Sequence, residues 1–534
     1  MKRLLAGIAW AIYAPSAFAA VTLPPLFGDH MVLQRERANP IWGTAEPRES
    51  LKISLNGKTV SAVADEHGKW KASLPSLPAG GPYTLSIEGS STINLQDVMI
   101  GEVWVCSGQS NMEISIQTAL NGGKEIAAAK YPNLRLFTVK RASADHPLDT
   151  FQGAWSPCTP ESVKNFSATA YFFGRDLQQA LNIPVGVVVS AWSGASIENW
   201  LSPEAFAKDP DAAAMQAAWQ KGVDDFPSAK AAYDALVADF PQATEKAKAE
   251  NKPLPRLPHT PLAGDGQTPE ESPFMFDQKV QHYAIQHPSC LFNGMIAPII
   301  PYGMRGVLWY QGESNLFRAE QYRRLFPLLI TDWRSRWGQG DFPFLYVQLP
   351  NIGKPTTDPM PPQNNYPELR EAQALALSLP ATFMTVNYDL GTGDIHPNNK
   401  PAIGHRLAVA AQAAIYGAKI AGRGPVFKSL QTEGATLRLS FDDDPLGEGL
   451  TIQRGNELKG FAVAGADGKY AWADAKIDGA TVLLTSALVP EPKTVRYAWE
   501  NFPEATLGNK AGFPAAPFRT DTLPLQTAGQ KVDK

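Results

Sequence analysis

Short, largely apolar runs recur between residues 96 and 425: Val103-Trp104-Val105, 185–189, Gly306-Val307-Leu308-Trp309-Tyr310, 344–347 and 383–386. They do not alternate with polar residues, so these strands keep no solvated face. Stretches with helical spacing, 168–181 and 319–337, lie between them. Buried strands alternating with helices imply a parallel sheet covered on both faces, because a parallel neighbour needs a long crossover. The expected fold class is therefore α/β, a three-layer α/β/α arrangement around a parallel sheet. Such a sheet gathers its strand-to-helix turns at the carboxyl edge, where open α/β sheets place their chemistry.

The flanks read differently. Within 20–95, Leu51-Lys52-Ile53-Ser54-Leu55 alternates and Asn56-Gly57 supplies a hairpin turn; 70–74 and 83–87 are further short runs. The pattern returns at 436–441, 481–484 and 495–499, with Asp467-Gly468 and Asp478-Gly479 as turns. Residues 20–95 and 426–525 are expected to form β-sandwich-like modules around a catalytic domain at 96–425. Within that domain, 204–288 reads as a helical insertion: 212–248 is rich in alanine and charge, and a Pro/Gly/Thr-rich run at 253–273 reads as a surface loop. A chain of 534 residues exceeds what one core supports.

Residues 1–19 read as a secretory signal. Lys2 and Arg3 precede an apolar core, and Ala17-Phe18-Ala19 offers a small-x-small cleavage site. The mature chain is expected to begin at Ala20, to be exported (periplasmic or secreted), and to contain no membrane span. With 44% apolar residues, 19% charged residues and a net charge of −4, nothing points to nucleic acid. Cys106 reads as a small buried hydrophobe; with Cys158 and Cys290 it leaves room for one bridge and one free thiol. No Cys/His spacing resembles a zinc site, and no metal or organic cofactor is expected. Asp442-Asp443-Asp444 lacks calcium-loop spacing and reads as a solvated turn.

Gly108-Gln109-Ser110-Asn111-Met112 follows the apolar run Glu102-Val103-Trp104-Val105-Cys106. A serine on that turn is held out at the sheet edge, beside N–H groups able to meet a developing negative charge. The pattern departs from the Gly-x-Ser-x-Gly elbow. Taken alone, it equally describes a Ser/Asn helix cap. Asp394-Ile395-His396-Pro397 lies in a loop after the 383–386 run, which brings His396 to the same edge as a base for Ser110. His405 opens a helical run and reads as structural. Asp394, Asp389 and Glu313 are candidates for the acid that orients the imidazole, Asp394 being nearest in sequence. Two glycine-containing loops follow other strands: Ala191-Trp192-Ser193-Gly194-Ala195-Ser196 and Gln311-Gly312-Glu313-Ser314-Asn315. The Gly194 N–H, and a side-chain amide of Gln311 or Asn315, could donate to an oxyanion.

These residues carry a family resemblance. The stretch from Gly101 to Glu113, Asn293-Gly294-Met295-Ile296-Ala297-Pro298, Trp309-Tyr310-Gln311-Gly312-Glu313-Ser314-Asn315 and Asp394-Ile395-His396-Pro397 resemble the SGNH hydrolase superfamily. Within it they resemble the sialate O-acetylesterase-like group, which includes carbohydrate acetylesterases of family 20. Met31-Val32-Leu33-Gln34-Arg35, Val495-Arg496-Tyr497-Ala498-Trp499 and Pro517-Phe518-Arg519-Thr520-Asp521 extend the likeness to both flanks. The resemblance implies Ser110 as nucleophile and His396 as base. It also implies oxyanion donors from Ser110 N–H, Gly194 N–H and the Gln311 amide. The chain departs from the superfamily where an Asp-x-x-His would place an acid at Gly393, and where Gln311-Gly312-Glu313 replaces a Gly-x-Asn block.

The sequence thus reads as an exported carbohydrate O-acetylesterase acting on an O-acetylated oligosaccharide or polysaccharide. Trp192 and Asn315 are candidate substrate contacts, and Trp200 and Trp309 sit near the same loops. Sialate carries a carboxylate, yet Arg305, Arg318 and Arg370 form no cluster. The reading therefore leans to a neutral hemicellulose such as xyloglucan, with sialate as the alternative. A non-catalytic carbohydrate-binding protein is the remote one.

Overall fold

The computed structural model describes residues 20–255, 287–362 and 364–531. The expected signal at 1–19 and most of the 253–273 run lie outside the described residues. The main sheet uses β1 (Thr92–Gly108), β2 (Tyr131–Thr138), β3 (Trp155–Cys158), β4 (Val185–Ala191), β5 (Gly306–Tyr310), β6 (Phe344–Val347) and β7 (Thr382–Thr385). Their order is β7-β6-β5-β1-β4-β2-β3. Every neighbouring pair is parallel except β2 with β3. β2 and β3 extend the sheet beyond the runs singled out in the sequence.

The helices include α1 (Ser110–Glu113), α2 (Ala168–Leu181), α3 (Ala212–Ala249), α4 (Ala319–Trp337), α5 (Asn365–Leu375) and α6 (Lys400–Ala414). Successive side chains of a strand point to opposite faces. Trp104 of β1 meets Phe173 of α2 edge-on at 5.2 Å. α6 lies against α2, where Gly404 comes so close that a Cβ there would sit 2.5 Å from that of Phe172. On the opposite face Trp309 of β5 packs against Trp333 of α4 at 5.8 Å, and Phe326 of α4 against Tyr346 of β6 at 4.9 Å. α5 joins this layer through Tyr346 Oη, which donates to Gln373 O at 2.7 Å. The core is thus a mixed, mainly parallel sheet with helices on both faces, flanked by β-rich modules.

One strand crosses the boundary expected at 95/96. The first half of β1 pairs with Gly80–Glu88 and with Val32–Gln34; its second half is the centre of the parallel sheet. The hairpin between Ser50–Leu55 and Lys58–Val63 turns at Asn56 and Gly57, both at positive φ. At the other end, a sheet holding Thr436–Asp442 and Thr481–Thr485 shares a core with one holding Phe461–Ala464 and Thr494–Tyr497; Leu439, Val482, Val463 and Val495 lie in it. α3, 38 residues long, lies within the 204–288 stretch. Among the described residues no helix is long and apolar enough to cross a membrane. The bridge that three cysteines could allow is absent: Cys106, Cys158 and Cys290 are all free and buried.

Candidate active site

Because β1, β4, β5, β6 and β7 run parallel, the turns that follow them share one edge of the sheet. At Gly108 the chain leaves β1 with φ +139°, and a Cβ there would lie 2.1 Å from Tyr310 O, so only glycine fits. Gln109 N–H donates to Tyr310 O at 3.0 Å, and Gln109 Oε1 accepts from Gly312 N at 3.1 Å. These bonds lock the turn after β1 to the turn after β5. Ser110 then begins α1, 7% exposed.

His396 comes from the loop after β7, 286 residues further on, and its Nε2 lies 2.8 Å from Ser110 Oγ. Burial holds its pKa below the ordinary histidine value; the Lys400 charge adds to this and Asp394 opposes it. The imidazole is therefore neutral, and able to accept a proton, over a wider pH range than a free histidine.

The candidate acids fall elsewhere. Asp394 Oδ1 accepts the main-chain N–H of His396 at 2.8 Å, so this carboxylate shapes the loop and is not bonded to the ring. Asp389 forms a two-pronged pair with Arg406, at 2.7 and 2.6 Å, and takes no part. Glu313 is 8% exposed, accepts from Asn111 Nδ2 at 2.6 Å, and has its pKa raised by burial. Among the described residues none of these acids bonds His396 Nδ1.

The oxyanion candidates divide. The backbone N–H groups of Ser110 and Gly194 have no partner among the described residues. Gly194 takes φ +78° in a loop gripped by Glu113, whose Oε2 accepts from Ser193 N at 2.8 Å and Ser193 Oγ at 2.5 Å. The expectation for Gln311 is corrected. Its amide donates to Asn315 Oδ1 at 2.7 Å and to Ala195 O at 3.2 Å, and its Oε1 accepts from Tyr322 Oη. Both amide hydrogens are spent inside the protein, and the side chain is fully buried.

The two expected substrate contacts are corrected as well. Asn315 is fully buried, bonded to Ile197 N, Gln311 and Glu198. Trp192 is 4% exposed, with the Arg141 guanidinium 5.3 Å from its ring centroid, which leaves no open face for a sugar. Trp200 and Trp309 are core. His405 is structural, as expected: it pairs with Asp176 of α2 at 2.7 Å. Sequence reasoning passed over Gln109, Asn111, Glu113, Arg141 and Lys400. Asn111 and Glu113 sit inside the quoted motif, yet nothing in spacing says that their side chains turn inward.

The carbohydrate esterase, sialic acid-specific acetylesterase family model matches residues 282–413, which include the His396 loop. Mouse sialate O-acetylesterase is 28% identical over 545 residues, covering 92% of each chain. Human sialate O-acetylesterase is 27% identical, covering 89% of this chain and 86% of its own. A carbohydrate acetylesterase from Xanthomonas citri, solved by crystallography, is 33% identical; the match covers 94% of this chain and 100% of that one, with a TM-score of 0.77.

Proposed function

This chain belongs to the SGNH-hydrolase-like carbohydrate esterases related to sialate O-acetylesterase, and on that premise we propose how its residues divide the work of a serine carbohydrate O-acetylesterase. The contact of His396 Nε2 with Ser110 Oγ carries the reading. Ser110 Oγ attacks the acetyl carbonyl while His396 takes the hydroxyl proton. The Ser110 and Gly194 N–H groups receive the oxyanion. Collapse of the tetrahedral adduct expels the sugar hydroxyl, which takes its proton from His396, and leaves an acetyl-serine. His396 then activates a water molecule that frees acetate and restores Ser110. No step needs Gln311. With Asp394 bonded to the main chain, the base works in this arrangement as half of a Ser–His pair, and Asp394 contributes through its charge.

The architecture reads as a three-layer α/β/α core carrying β-sandwich-like modules, divided near 95 and 425. An amino-terminal signal at 1–19 makes the chain an exported protein. For the substrate, sialate replaces the hemicellulose reading. The curated relatives bear the sialate name, and no feature of the site selects a neutral polymer. Arg305, Arg318 and Arg370 are committed elsewhere, to Glu102, Glu198 and main-chain carbonyls respectively. Arg141, beside the Ser193-Gly194 loop, is a partly exposed cation close to the site, though paired with Glu113. Its Nε and Nη2 hold Glu113, and its Nη1 has no partner among the described residues.

The test is acetate release by the mature chain from 9-O-acetyl sialic acid and from acetylated xyloglucan oligosaccharides. Ser110→Ala is expected to lose on the order of a millionfold in turnover. Release from the sialate alone supports the reading; release from the xyloglucan alone restores the hemicellulose substrate. Turnover by Ser110→Ala near the wild-type rate would remove Ser110 as nucleophile.

A further inference from the structure

Beneath Ser110 lies a buried polar cluster that the acyl-transfer steps do not use. Asn111 is fully buried, and each end of its amide is engaged. Nδ2 donates to Glu313 Oε1 at 2.6 Å and to Ile395 O at 2.9 Å; Oδ1 accepts from Lys400 Nζ at 2.5 Å. One side chain therefore joins the turn after β5, the residue before His396 and the first residue of α6. Its own neighbour in the chain is Ser110. Thr169 of α2 holds the Asn111 main chain, its Oγ1 donating to Asn111 O at 3.0 Å.

The cluster is expensive to build. Lys400 is 1% exposed and places a cation at a helix N-terminus, where the helix dipole opposes it. Among the described residues its ammonium has one hydrogen bond, to Asn111, and otherwise faces the Tyr310 ring at 5.0 Å. Glu313 Oε2 is buried without a partner among those residues. Arrangements that break local rules and persist are concentrated at functional sites.

We propose that Asn111, supported by Glu313 and Lys400, is the positioning residue of this site, fixing the distance between nucleophile and base by tying the Ser110 turn to the His396 loop. The inference rests on the serine-esterase reading. Lys400 also faces His396 electrostatically, together with Asp394 of the same loop; burial draws the Lys400 pKa down to about 7, with Glu313 opposing.

The experiment uses the mature chain and a small activated acetate ester, so that sugar binding does not enter. Asn111→Asp keeps an oxygen for Lys400 and removes the donors to Glu313 and Ile395. kcat is expected to fall on the order of a hundredfold, as displacement of a reacting group by about 1 Å does, with KM within about twofold. Adding Glu313→Gln supplies a donor to the introduced carboxylate from the other side. That double variant should regain thermal stability but not kcat, because Ile395 O still lacks its donor. Lys400→Met removes a positive charge that disfavours the imidazolium, so the acid limb of kcat/KM should move to higher pH. Where Asn111→Asp fails to fold, the Lys400→Met profile decides. An unchanged kcat in Asn111→Asp, full recovery of kcat in the double variant, or an unmoved acid limb would each overturn the proposal. An active Ser110→Ala would instead sink the esterase reading beneath it.

Discussion

Ser110 and His396 meet because a glycine lets the chain turn where no other residue fits. Gly108 has to pass against Tyr310 O, and the hydrogen bonds of Gln109 then hold the turn to its neighbour. The protonation state of His396 follows from its surroundings: burial and the Lys400 charge both disfavour the imidazolium, and Asp394 does not fully offset them. A general base works when unprotonated, so activity should persist as pH falls through the ordinary histidine value of about 6.5 and decline only below it. A kcat/KM profile spanning mildly acidic to mildly basic pH checks this; an acid limb above the ordinary value would contradict it.

At the level of elements, β1 determines the most. Its 17 residues serve the amino-terminal β module first and the parallel sheet second. Glu102 marks the crossing: fully buried, it bonds Arg35 Nε at 2.5 Å, Arg305 Nε at 2.7 Å and Gln34 Nε2 at 3.1 Å. Burial alone would raise its pKa, but the two arginines outweigh burial and hold it below the ordinary carboxylate value. Glu102→Gln removes the carboxylate that both guanidinium groups hold most closely, leaving them only the longer contacts with Glu36, at 3.5 Å from Arg35 and 3.7 Å from Arg305. Each guanidinium is about a quarter exposed, so the expected loss lies near the low end for a broken buried pair, about 3 kcal/mol. A group with a depressed folded pKa stabilises above its unfolded value and ceases to do so as pH falls through its folded value. The gap between wild type and variant in chemical denaturation should therefore be full at neutral pH and shrink below about pH 4.

For the whole molecule, the flanking modules are built into the catalytic core. Val32 and Leu33 pair with Met99 and Ile100 of β1; Tyr302 Oη donates to Val32 O at 2.7 Å and Trp155 Nε1 to Leu26 O at 2.9 Å. At the other end, fully buried Arg370 of α5 donates to Leu349 O and Pro350 O of the core and to Glu500 O and Asn501 O of the carboxyl-terminal module. Removing residues 20–91 would expose the paired edge and apolar face of β1, including the buried Val98 and Ile100. That truncation is expected to yield no soluble, folded enzyme, and calorimetry of the intact chain should show the amino-terminal module and the parallel sheet melting together. A folded, active fragment starting at residue 92 would show that the module is dispensable.

Much of this protein could be read directly from the chain. Apolar runs with no alternation, only a few residues long, are too short for buried helices and read as strands buried on both sides, and the helices between them make the sheet parallel. That places Ser110, Gly194, Gln311 and His396 at one edge before any coordinate is known, because chain direction alone decides at which end a turn falls. The residue pair that meets, Ser110 with His396, was legible for that reason. Tertiary structure decided what a hydrogen-bonding side chain does once it is there. Gln311 and Asn315 have the chemistry of oxyanion or substrate contacts, but each is buried and spends its donors inside the protein, on Asn315 and Ala195 for Gln311 and on Glu198 for Asn315. Asp394 is the nearest acid in sequence, yet two-residue spacing brings its carboxylate to the His396 backbone instead of the ring. Asn111 and Lys400 look like surface residues in a list of letters and are buried in the fold. Side-chain direction and competition for donors depend on contacts between residues hundreds of positions apart, such as Asn111 with Lys400, and no local pattern encodes them.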